Sequence, residues 1–587
     1  MRAEPVLDTS PPPRWCLPAV FLAGTLGCAL IADSAWSISA TYDEVAYLQV
    51  AAHWWRTGDQ AEISRMGSPL TFWKLQQIPV LWLLDHTGRR ALVDDPIARQ
   101  AELLPLVRLG SIWIWVVALG LAAFWTRRLH GPRAMAFAAW LFALSPNLLA
   151  HGALITMELP LAASSSAVFL LFWLFLRTSS SLAFWSAAAL CGLAFSCKFT
   201  AILFPPLLAL IWWIDLSVVV KVRPSQAAIQ VLRGMVGFLA LMIASDIIVT
   251  GFAVLPLAAN VTKIHPSLDT QFGPGSRAVP FLGRVLETPI LQDWVGFVIQ
   301  IRHQRAGGPS YLFGERRMTG WWYYYFIVLV VKIPLAFWAL VLLRALWISR
   351  ERPADRAWVL PALIGGFLIM TALGSTRNYG LRYLLPIAPL AVVWVSALAA
   401  QPGWRRVLAC SALLGQAFAV VSVHPNELTY FNQIAGGPLG GKAILSDSNL
   451  DWGQGLKSLA RLQRQQPQLR DLTFYYFGDT KPQYYGVAGV SYVIDANLSR
   501  PFPPQFQAAS RFVAVSTSLR WGPWAPPDYF KAIKNVSPFT FTDDHTIAIY
   551  RTADIFPSPP LDSGSIKIKP ARKPFLQTVG SLGDSPG

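Results

Sequence analysis

The chain has 587 residues, of which 54% are hydrophobic and only 14% are charged, and its mean hydropathy is +0.41. Soluble domains carry about 25% charged residues, so this composition excludes an ordinary soluble protein and indicates an integral membrane protein. The net charge of +17 does not indicate a nucleic-acid-binding protein, because the basic residues lie in short loops between apolar runs and form no continuous basic tract.

Apolar runs of transmembrane length recur along the chain. A helix needs about 20 apolar residues to cross the hydrocarbon core of a bilayer. Eleven runs near that length predict transmembrane helices at 15–39, 105–125, 133–150, 157–176, 182–197, 199–219, 234–256, 321–343, 357–374, 381–400 and 405–423. The sequence therefore predicts a polytopic α-helical membrane protein, with a transmembrane module over 1–423.

Basic residues indicate the orientation of these helices. Lysine and arginine accumulate in alternate short loops, among them the loops around Arg127, Arg177 and Arg405. Because basic loops stay on the cytoplasmic side, the N-terminus is predicted to be cytoplasmic. The loops 40–104 and 257–320 and the C-terminal segment then lie on the periplasmic or extracellular side of a cytoplasmic (inner) membrane.

The C-terminal segment 424–555 has the character of a soluble domain. Its patterns predict a helix at 454–465 and strands at 442–445, 472–477, 511–516 and 546–551. Alternation of strand and helix is typical of a small α/β domain. The tail 556–587 is rich in Pro, Ser, Gly and Lys and is predicted to be disordered.

Acidic residues stand at the predicted outer ends of two spans. Asp43 and Glu44 follow the first span, and Glu158 opens the fourth. Were these side chains to converge, one carboxylate would serve as a general base while another positions a hydroxyl group. The structural alternative is that Asp43 caps the amphipathic helix that starts at Glu44.

Basic residues predicted at the same face are the natural complement of these carboxylates. Cations neutralise the charge that develops on a phosphate leaving group. The candidates for binding a donor phosphate are Lys74, Lys198, Arg377 and Arg382. Lys198 is a single lysine in an apolar hairpin, and its alternative role is to extend toward lipid headgroups.

Two further charges, Asp246 and Lys332, lie deep within predicted spans. Intramembrane ionisable groups tend to pair, so a structural ion pair is predicted, with a proton relay as the alternative. The sequence shows no metal-ligand spacing, P-loop or G-x-S-x-G pattern, and neither a metal nor another cofactor is predicted. Without nucleotide machinery, a transferase at the outer face would draw on an activated, lipid-linked donor.

Several motifs resemble those of the GT-C membrane glycosyltransferases, specifically family 39, the protein mannosyltransferase and aminoarabinose transferase group. The general motifs are Tyr42-Asp43-Glu44 with Gly58-Asp59, Glu158-Leu159-Pro160, Gly192-Leu193-Ala194 followed by Lys198, and Arg382-Tyr383-Leu384-Leu385-Pro386. Similarity to a bacterial branch of this group is found at Gly308-Pro309-Ser310-Tyr311-Leu312 with Gly320-Trp321-Trp322-Tyr323-Tyr324, at Asn426-Glu427-Leu428 to Gly436-Gly437-Pro438, and at Asp447-Ser448-Asn449-Leu450-Asp451-Trp452-Gly453-Gln454.

The resemblance implies an inverting transfer of a sugar from a polyprenyl-phosphate donor to an acceptor at the outer face, without a required metal. By motif match, Asp43 takes the catalytic acidic position and Glu158 the second acidic position. The relatives' His-Pro-Pro-Leu is replaced here by Gly67-Ser68-Pro69-Leu70. Protein, lipid and glycan acceptors all remain open.

A polytopic transporter or lipid flippase is the alternative function, because charged residues at mid-depth and broken helices are usual in such proteins. The halves of the sequence do not repeat, and large loops and a C-terminal domain on one side favour a transferase. A scaffold without activity, whose C-terminal segment binds a partner, is a third hypothesis.

Overall fold

The computed structural model of the chain describes residues 13–59, 71–257, 278–346, 355–495 and 502–556, together with Gly273 and Ser276. Most of these residues form a bundle of apolar helices. A mixed β-sheet packs against the segment that follows the first helix, and the two share a hydrophobic core. Most of the tail predicted to be disordered, 557–587, lies outside the described residues.

The N-terminal part of the bundle is mainly helical among the described residues. Its helices are α1 (Cys16–Ser37), α2 (Tyr42–Thr57), α3 (Thr71–His86), α4 (Arg90–Asp94), α5 (Gln100–Leu109), α6 (Ile112–His130), α7 (Pro132–Ala143), α8 (Pro146–Gly152), α9 (Glu158–Thr178), α10 (Ser181–Phe195), α11 (Phe204–Ile214) and α12 (Pro224–Thr250). A 3-10 helix over Phe199–Leu203 precedes α11.

The remaining helices alternate with irregular segments. They are α13 (Ala278–Glu287), α14 (Gln292–Ala306), α15 (Tyr324–Lys332), α16 (Leu335–Ala345), α17 (Val359–Gly374), α18 (Ala388–Val395), α19 (Ala397–Ala400), α20 (Trp404–Val421), α21 (Gly437–Gly441) and α22 (Leu456–Gln465). A 3-10 helix over Leu381–Ile387 leads into α18. Two short antiparallel strand pairs precede α15: β1 (Val254–Pro256) with β2 (Pro289–Leu291), and the hairpin of β3 (Ser310–Leu312) with β4 (Glu315–Arg317).

Seven helical segments of the described chain are long and apolar enough to cross a membrane. Two helix pairs meet the same criterion only when taken together, because α7 and α8 are bent by 63° and α15 and α16 by 112°. The helices α10 and α17 are apolar but shorter. The chain is therefore a polytopic helical membrane protein, and the count of eleven spans stays a prediction.

The bend between α15 and α16 follows from Pro334. Proline disfavours helical backbone in the residue before it, and Ile333 is extended, with φ −95° and ψ 133°. The break frees carbonyl groups from helical hydrogen bonds. The side-chain amide of Asn432 donates to the carbonyl oxygens of Val330 and Ile333, at 2.6 and 2.8 Å. The bend is thus compensated by side-chain hydrogen bonds inside the bundle.

The buried charges Asp246 and Lys332 do not pair, so the predicted ion pair is wrong. Lys332, at the end of α15, donates to the carbonyl oxygens of Leu428 and Asn449, at 2.9 and 2.6 Å. Asp246 of α12 accepts a hydrogen bond from Ser196 at 2.5 Å. Carbonyl groups of the irregular chain after α20 reach the ammonium group, and they offset its burial without a carboxylate. The position of a charged residue within a predicted span indicates its depth in the membrane, but it does not indicate which helices are neighbours.

The C-terminal sheet has five strands: β5 (Leu472–Phe477), β6 (Val490–Ile494), β7 (Phe512–Ser516), β8 (Thr540–Phe541) and β9 (Ile547–Arg551). Their order is β6-β5-β7-β9-β8, with β5 parallel to both of its neighbours and β9 antiparallel to both of its own. The helix at 456–465 and the strands β5, β7 and β9 lie where the sequence predicted them. The domain boundary at residue 424 stays a prediction.

The strand predicted at 442–445 is wrong. These residues form turns after the glycine-rich helix α21. The carbonyl oxygen of Ile444 accepts from the backbone N–H of Phe313, and the hydroxyl of Tyr311 donates to the carbonyl oxygen of Lys442 at 3.2 Å. Hydrogen bonds from the β3–β4 hairpin therefore satisfy backbone carbonyl groups that a neighbouring strand would satisfy in a sheet.

The stability losses from Asp246→Asn and Lys332→Met are expected to add. The two side chains share no partner among the described residues, and such mutations usually add within about 0.5 kcal/mol. Lys332→Met leaves carbonyl groups without a donor and should cost about 1–3 kcal/mol. The free energies of unfolding of the wild type, both single variants and the double variant are measured in one detergent. Together they give the coupling energy of the double-mutant cycle. A coupling energy above about 1 kcal/mol would contradict the separation seen here.

Candidate active site

The corner between α1 and α2 is fixed by a buried arginine. Arg108 of α5 donates to carbonyl oxygens at the end of α1, those of Ala35, Ile38 and Ser39, at 3.0, 3.0 and 2.8 Å. It also donates to both carboxylate oxygens of Glu44, at 2.9 and 2.6 Å. All five N–H groups of the guanidinium are therefore used. Both side chains are fully buried, so the pair links the two helices in a dry environment.

Glu44 also closes the first turn of α2. Its carboxylate accepts hydrogen bonds from the backbone N–H and the hydroxyl of Thr41, both at 3.0 Å, which completes a capping box. Thr41 and Glu44 therefore cap this helix, and Asp43 does not. Glu44 lies outside the main cavity of the described structure. Its contacts fix the turn from which the side chain of Asp43 projects.

Two ion pairs stand side by side next to this turn. Asp43 accepts a hydrogen bond from Arg382 at 2.7 Å, and Glu158 accepts one from Lys198 at 2.8 Å. Arg382 also lies 3.9 Å from Glu158, which joins the pairs into one cluster. The ammonium group of Lys198 lies 4.4 Å from the ring centre of Tyr383. Asp43 keeps 23% of its side chain exposed, against 2% for Glu158, so Asp43 is the more accessible carboxylate.

The cluster opens into the main cavity, whose volume is about 630 Å³. Five of the residues predicted for the site line this cavity: Asp43, Glu158, Lys198, Arg377 and Arg382. The remainder of the wall includes the apolar side chains Ile202, Leu203, Phe297 and Met370. The cavity is therefore amphipathic, with a charged part built from carboxylates and cations and an apolar part built from membrane helices.

The motif around Gly308 holds the segment that carries Arg377 and Arg382 in place. Arg377 donates to the carbonyl oxygen of Gly307 at 2.9 Å. A Cβ atom at Gly308 would overlap the hydroxyl of Tyr379, so a larger residue would displace the side chain of Tyr379. The backbone N–H of Asn378 donates to the hydroxyl of Ser310 at 3.1 Å. These contacts give a structural reason for a motif that the sequence left without a role.

The motif Asp447–Gln454 contacts both the segment that carries Arg382 and the segment that carries Asp43. The side-chain oxygen of Asn449 accepts from the backbone N–H of Leu381 at 3.1 Å. The ring centre of Trp452 lies 4.3 Å from the guanidinium carbon of Arg382. The carbonyl oxygen of Trp452 accepts from the backbone N–H of Tyr42 at 2.7 Å. One residue of the C-terminal segment thus contacts the arginine directly and holds the main chain beside Asp43.

Asp447 places a third carboxyl group near the cluster. Burial raises the pKa of Asp447 to about 7, with Arg382 opposing this rise and the negative charge of Asp43 adding to it. Near neutral pH this group is therefore only partly ionised. The positive charge of Arg382 is then balanced mainly by Asp43, to which it is hydrogen-bonded.

Sequence reasoning missed Arg108, and it left Trp452, within the motif Asp447–Gln454, without a role. Arg108 falls inside the predicted span 105–125, and a charge within an apolar run is a usable signal of a buried partner. Trp452 stands in a motif that the resemblance singles out, but its contact with Arg382 depends on how a distant segment returns to the bundle, which the sequence does not indicate. The side chain of Lys74 and the loop Gly67–Leu70 lie outside the described residues.

Neutralising Glu44 is expected to destabilise the protein far more than neutralising the adjacent Asp43. Glu44→Gln leaves the guanidinium of Arg108 buried without a counter-charge, which typically costs about 3–5 kcal/mol. Asp43→Asn breaks a partly exposed pair and leaves Arg382 close to Glu158, so a loss of about 1 kcal/mol or less is expected. Thermal unfolding of both variants in the same detergent measures the difference. Equal losses would contradict the structural role of Glu44.

Comparison with known proteins gives matches among solved structures only. No family model matches the sequence, and neither does any curated protein. ArnT from Cupriavidus metallidurans bound to undecaprenyl phosphate is 12% identical, with 93% of this chain and 99% of that chain covered and a TM-score of 0.42. The archaeal oligosaccharyltransferase AglB from Archaeoglobus fulgidus, in complex with an inhibitory peptide and a dolichol-phosphate, is 14% identical, with 88% and 65% covered and a TM-score of 0.39. Similarity at this level assigns neither a family nor an activity to the chain.

Proposed function

We propose that the protein is an inverting membrane glycosyltransferase, which moves a sugar from a polyprenyl-phosphate-linked donor to an acceptor at the outer face of the cytoplasmic membrane. The observation that carries this proposal is the convergence of two carboxylates and three of the predicted phosphate-binding cations in one cavity with an apolar wall. A lipid-linked phosphate sugar has the matching chemistry, because it joins an apolar chain, an anionic phosphate and a polar sugar.

The cations Lys198, Arg377 and Arg382 are proposed to bind the donor phosphate. Charge-assisted hydrogen bonds from guanidinium and ammonium groups suit phosphate oxygens. The same groups stabilise the negative charge that grows on the phosphate as its bond to the sugar breaks. The polyprenyl chain would lie along the apolar wall that includes Ile202 and Met370. In this scheme the three side chains supply the positive charge that the leaving group requires.

Asp43 is proposed to act as the general base. It accepts a proton from an acceptor hydroxyl while the oxygen of that hydroxyl attacks the anomeric carbon of the sugar. The bond between this carbon and the phosphate oxygen breaks, and its electron pair leaves with the polyprenyl phosphate. A donor phosphate would compete for Arg382, which now holds Asp43, and so free the carboxylate for the acceptor. Glu158, bonded to Lys198, positions that cation.

The orientation of the site in the membrane is part of the proposal. The distribution of arginine and lysine among the short loops favours a cytoplasmic N-terminus. Asp43 follows directly after the first span, and the C-terminal sheet packs on the segment around it. The cavity and the sheet would therefore share the periplasmic or extracellular side, where lipid-linked sugars meet acceptors from outside the cell.

The observation that favours a transporter or flippase is the break at Lys332, because discontinuous helices carrying charges often form transport sites. Lys332 is buried, however, and its ammonium group donates to main-chain carbonyls of the bundle. It does not line the main cavity of the described structure. The contacts of this charge therefore favour a structural role over a role in transport.

Asp43→Asn is expected to lower the turnover of a polyprenyl-phosphate sugar while leaving donor binding nearly intact. The amide keeps the shape of the side chain but cannot take the proton, and general-base catalysis typically contributes about 10²–10⁴-fold. Lys198→Ala should instead weaken donor binding as well as turnover, because it removes a phosphate contact. Donor affinity and the single-turnover rate of polyprenyl phosphate release, measured in nanodiscs with a panel of synthetic donors, separate the two effects.

Asp94→Asn is the matched control for this experiment, because Asp94 is an exposed carboxylate at the end of α4 that belongs to none of the motifs and lies outside the cavity lining. Wild-type rates are expected for it. Near-normal turnover in a well-folded Asp43→Asn variant would refute the role of Asp43 as the base. Donor movement across the bilayer without any transfer to an acceptor would favour the transporter instead.

Reporter fusions test the proposed orientation independently of activity. Fusions after residues 128, 178, 222, 351 and 404 are expected to report cytoplasm, and fusions after residues 60, 290 and 440 the opposite side. The expectation rests on the cytoplasmic location of basic loops. Alkaline phosphatase and green fluorescent protein at each site give complementary signals. A cytoplasmic signal after residue 440 would place the sheet and the proposed outer cavity on the wrong side.

A further inference from the structure

A second cavity lies on the other side of the α1 to α2 corner, where the end of α1 meets α22. Its volume is about 470 Å³. Trp36, at the end of the first span, lines this cavity. The C-terminal segment contributes the basic residues Lys457, Arg461 and Arg464 and the aromatic residues Tyr484 and Tyr485. No residue of the main charge cluster lines it, so it is separate from the proposed catalytic site.

Three cations of this cavity come from one face of α22. Lys457, Arg461 and Arg464 are spaced four and three residues apart, which places them on the same side of a helix. The opposite side is held in place by Leu456 and Leu459, which are fully buried in the core shared with the sheet. The basic face is therefore presented to the cavity by a fixed helix.

The positive charge of this face is only partly balanced. Arg461 pairs with Asp543 at 2.8 Å, and the ammonium group of Lys457 donates to the carbonyl oxygen of Trp36 at 2.6 Å. Arg464 is exposed and forms no ion pair among the described residues. No acidic residue lines the cavity itself within the described chain. A carbonyl oxygen is a neutral acceptor, so the site retains an excess of positive charge.

Repulsion between the positive charges around Lys457 also indicates an excess of positive charge at this site. Burial lowers the pKa of Lys457 to about 8, and the neighbouring charges of Arg108 and Arg461 lower it further in the same direction. The charge of Arg108 is already matched by Glu44. A bound anion would relieve the repulsion among the remaining cations.

The position of the cavity identifies the source of such an anion. Trp36 is the second-last residue of α1, the first helix long enough to span a membrane, and 48% of its surface is exposed. Tryptophan and tyrosine concentrate at the level of the lipid headgroups, and Tyr484 and Tyr485 line the same cavity. If α1 crosses the bilayer, the basic face would lie where this helix leaves the hydrocarbon, at the depth of phospholipid phosphates.

We propose that this cavity binds the headgroup of an anionic phospholipid from the adjacent leaflet, with Arg461 and Arg464 on the phosphodiester. Guanidinium groups match phosphate oxygens in geometry and charge. Basic residues near the bilayer surface attract anionic lipids, and each adds to the affinity. The acyl chains would lie along the exposed apolar surface of α1. The site is independent of the proposed catalytic function.

The experiment uses the full-length protein, freed of bound lipid in detergent, and the variant Arg461→Gln/Arg464→Gln. Phosphatidylglycerol and phosphatidylcholine with identical acyl chains are added separately, and glycerophosphoglycerol supplies the same phosphodiester without a lipid. The measured quantity is the melting temperature as a function of ligand concentration, because a ligand that binds only the folded state raises it. Arg470→Gln is the matched control, since Arg470 is an exposed arginine of the same segment outside the cavity lining.

Phosphatidylglycerol is expected to raise the melting temperature of the wild type and of Arg470→Gln more than phosphatidylcholine does. The double variant should need at least about tenfold more phosphatidylglycerol for the same shift. Arg464→Gln alone, which breaks no ion pair among the described residues, should need about threefold more, and it serves if the double variant folds poorly.

Two results would overturn the proposal. The first is an equal effect of the two lipids, or a response of Arg461→Gln/Arg464→Gln and of Arg464→Gln that equals that of the wild type. The second is protection by glycerophosphoglycerol as strong as that by phosphatidylglycerol, which would show a site for a free anion and not for a lipid. Neither result bears on glycosyl transfer, so this test and the test of Asp43 fail independently.

Discussion

The buried pair of Arg108 and Glu44 is the interaction on which the geometry of the site depends. Taking both charges out of water is costly, and it is offset only because every N–H group of the guanidinium has an acceptor. Those acceptors come from the end of α1 and the start of α2. The chain therefore leaves the first span and turns into α2 along one defined path, and Asp43 projects from that path into the main cavity.

Adjacent carboxylates in the sequence thus take opposite roles. Glu44 is fully buried and spends its hydrogen-bonding capacity on the helix cap and on Arg108, whereas Asp43 is partly exposed and meets a single arginine. A group that must exchange a proton with a substrate needs access and a replaceable partner, and only Asp43 has both. The C-terminal segment keeps that partner in place, since Trp452 contacts Arg382 and bonds the main chain at Tyr42.

The sequence predicted the structural elements that depend on the length of apolar runs and on the local alternation of side chains. The apolar runs coincide with helices of the bundle, and the strands at 472–477, 512–516 and 547–551 follow from local alternation of side chains. Asp43, Glu158, Lys198, Arg377 and Arg382 do line one cavity. Predictions that required knowledge of neighbours failed or were not made. The partners of Lys332, the turns at 442–445 and the contact of Trp452 with Arg382 are all set by segments distant in sequence, which periodicity does not place.

The end of α1 lines the second cavity and, through Arg108, also holds the turn that positions Asp43 at the main cavity. Trp36 and Ser37 line the second cavity, and Lys457 is hydrogen-bonded to the carbonyl oxygen of Trp36. The neighbouring carbonyl groups of Ala35 and Ile38 hold Arg108, which holds Glu44. The turn that directs Asp43 is fixed by hydrogen bonds from several directions, so an anion that draws Lys457 away from Trp36 would remove one contact and leave the path into α2 in place. This redundancy is the physical reason why the two cavities can act and be tested separately.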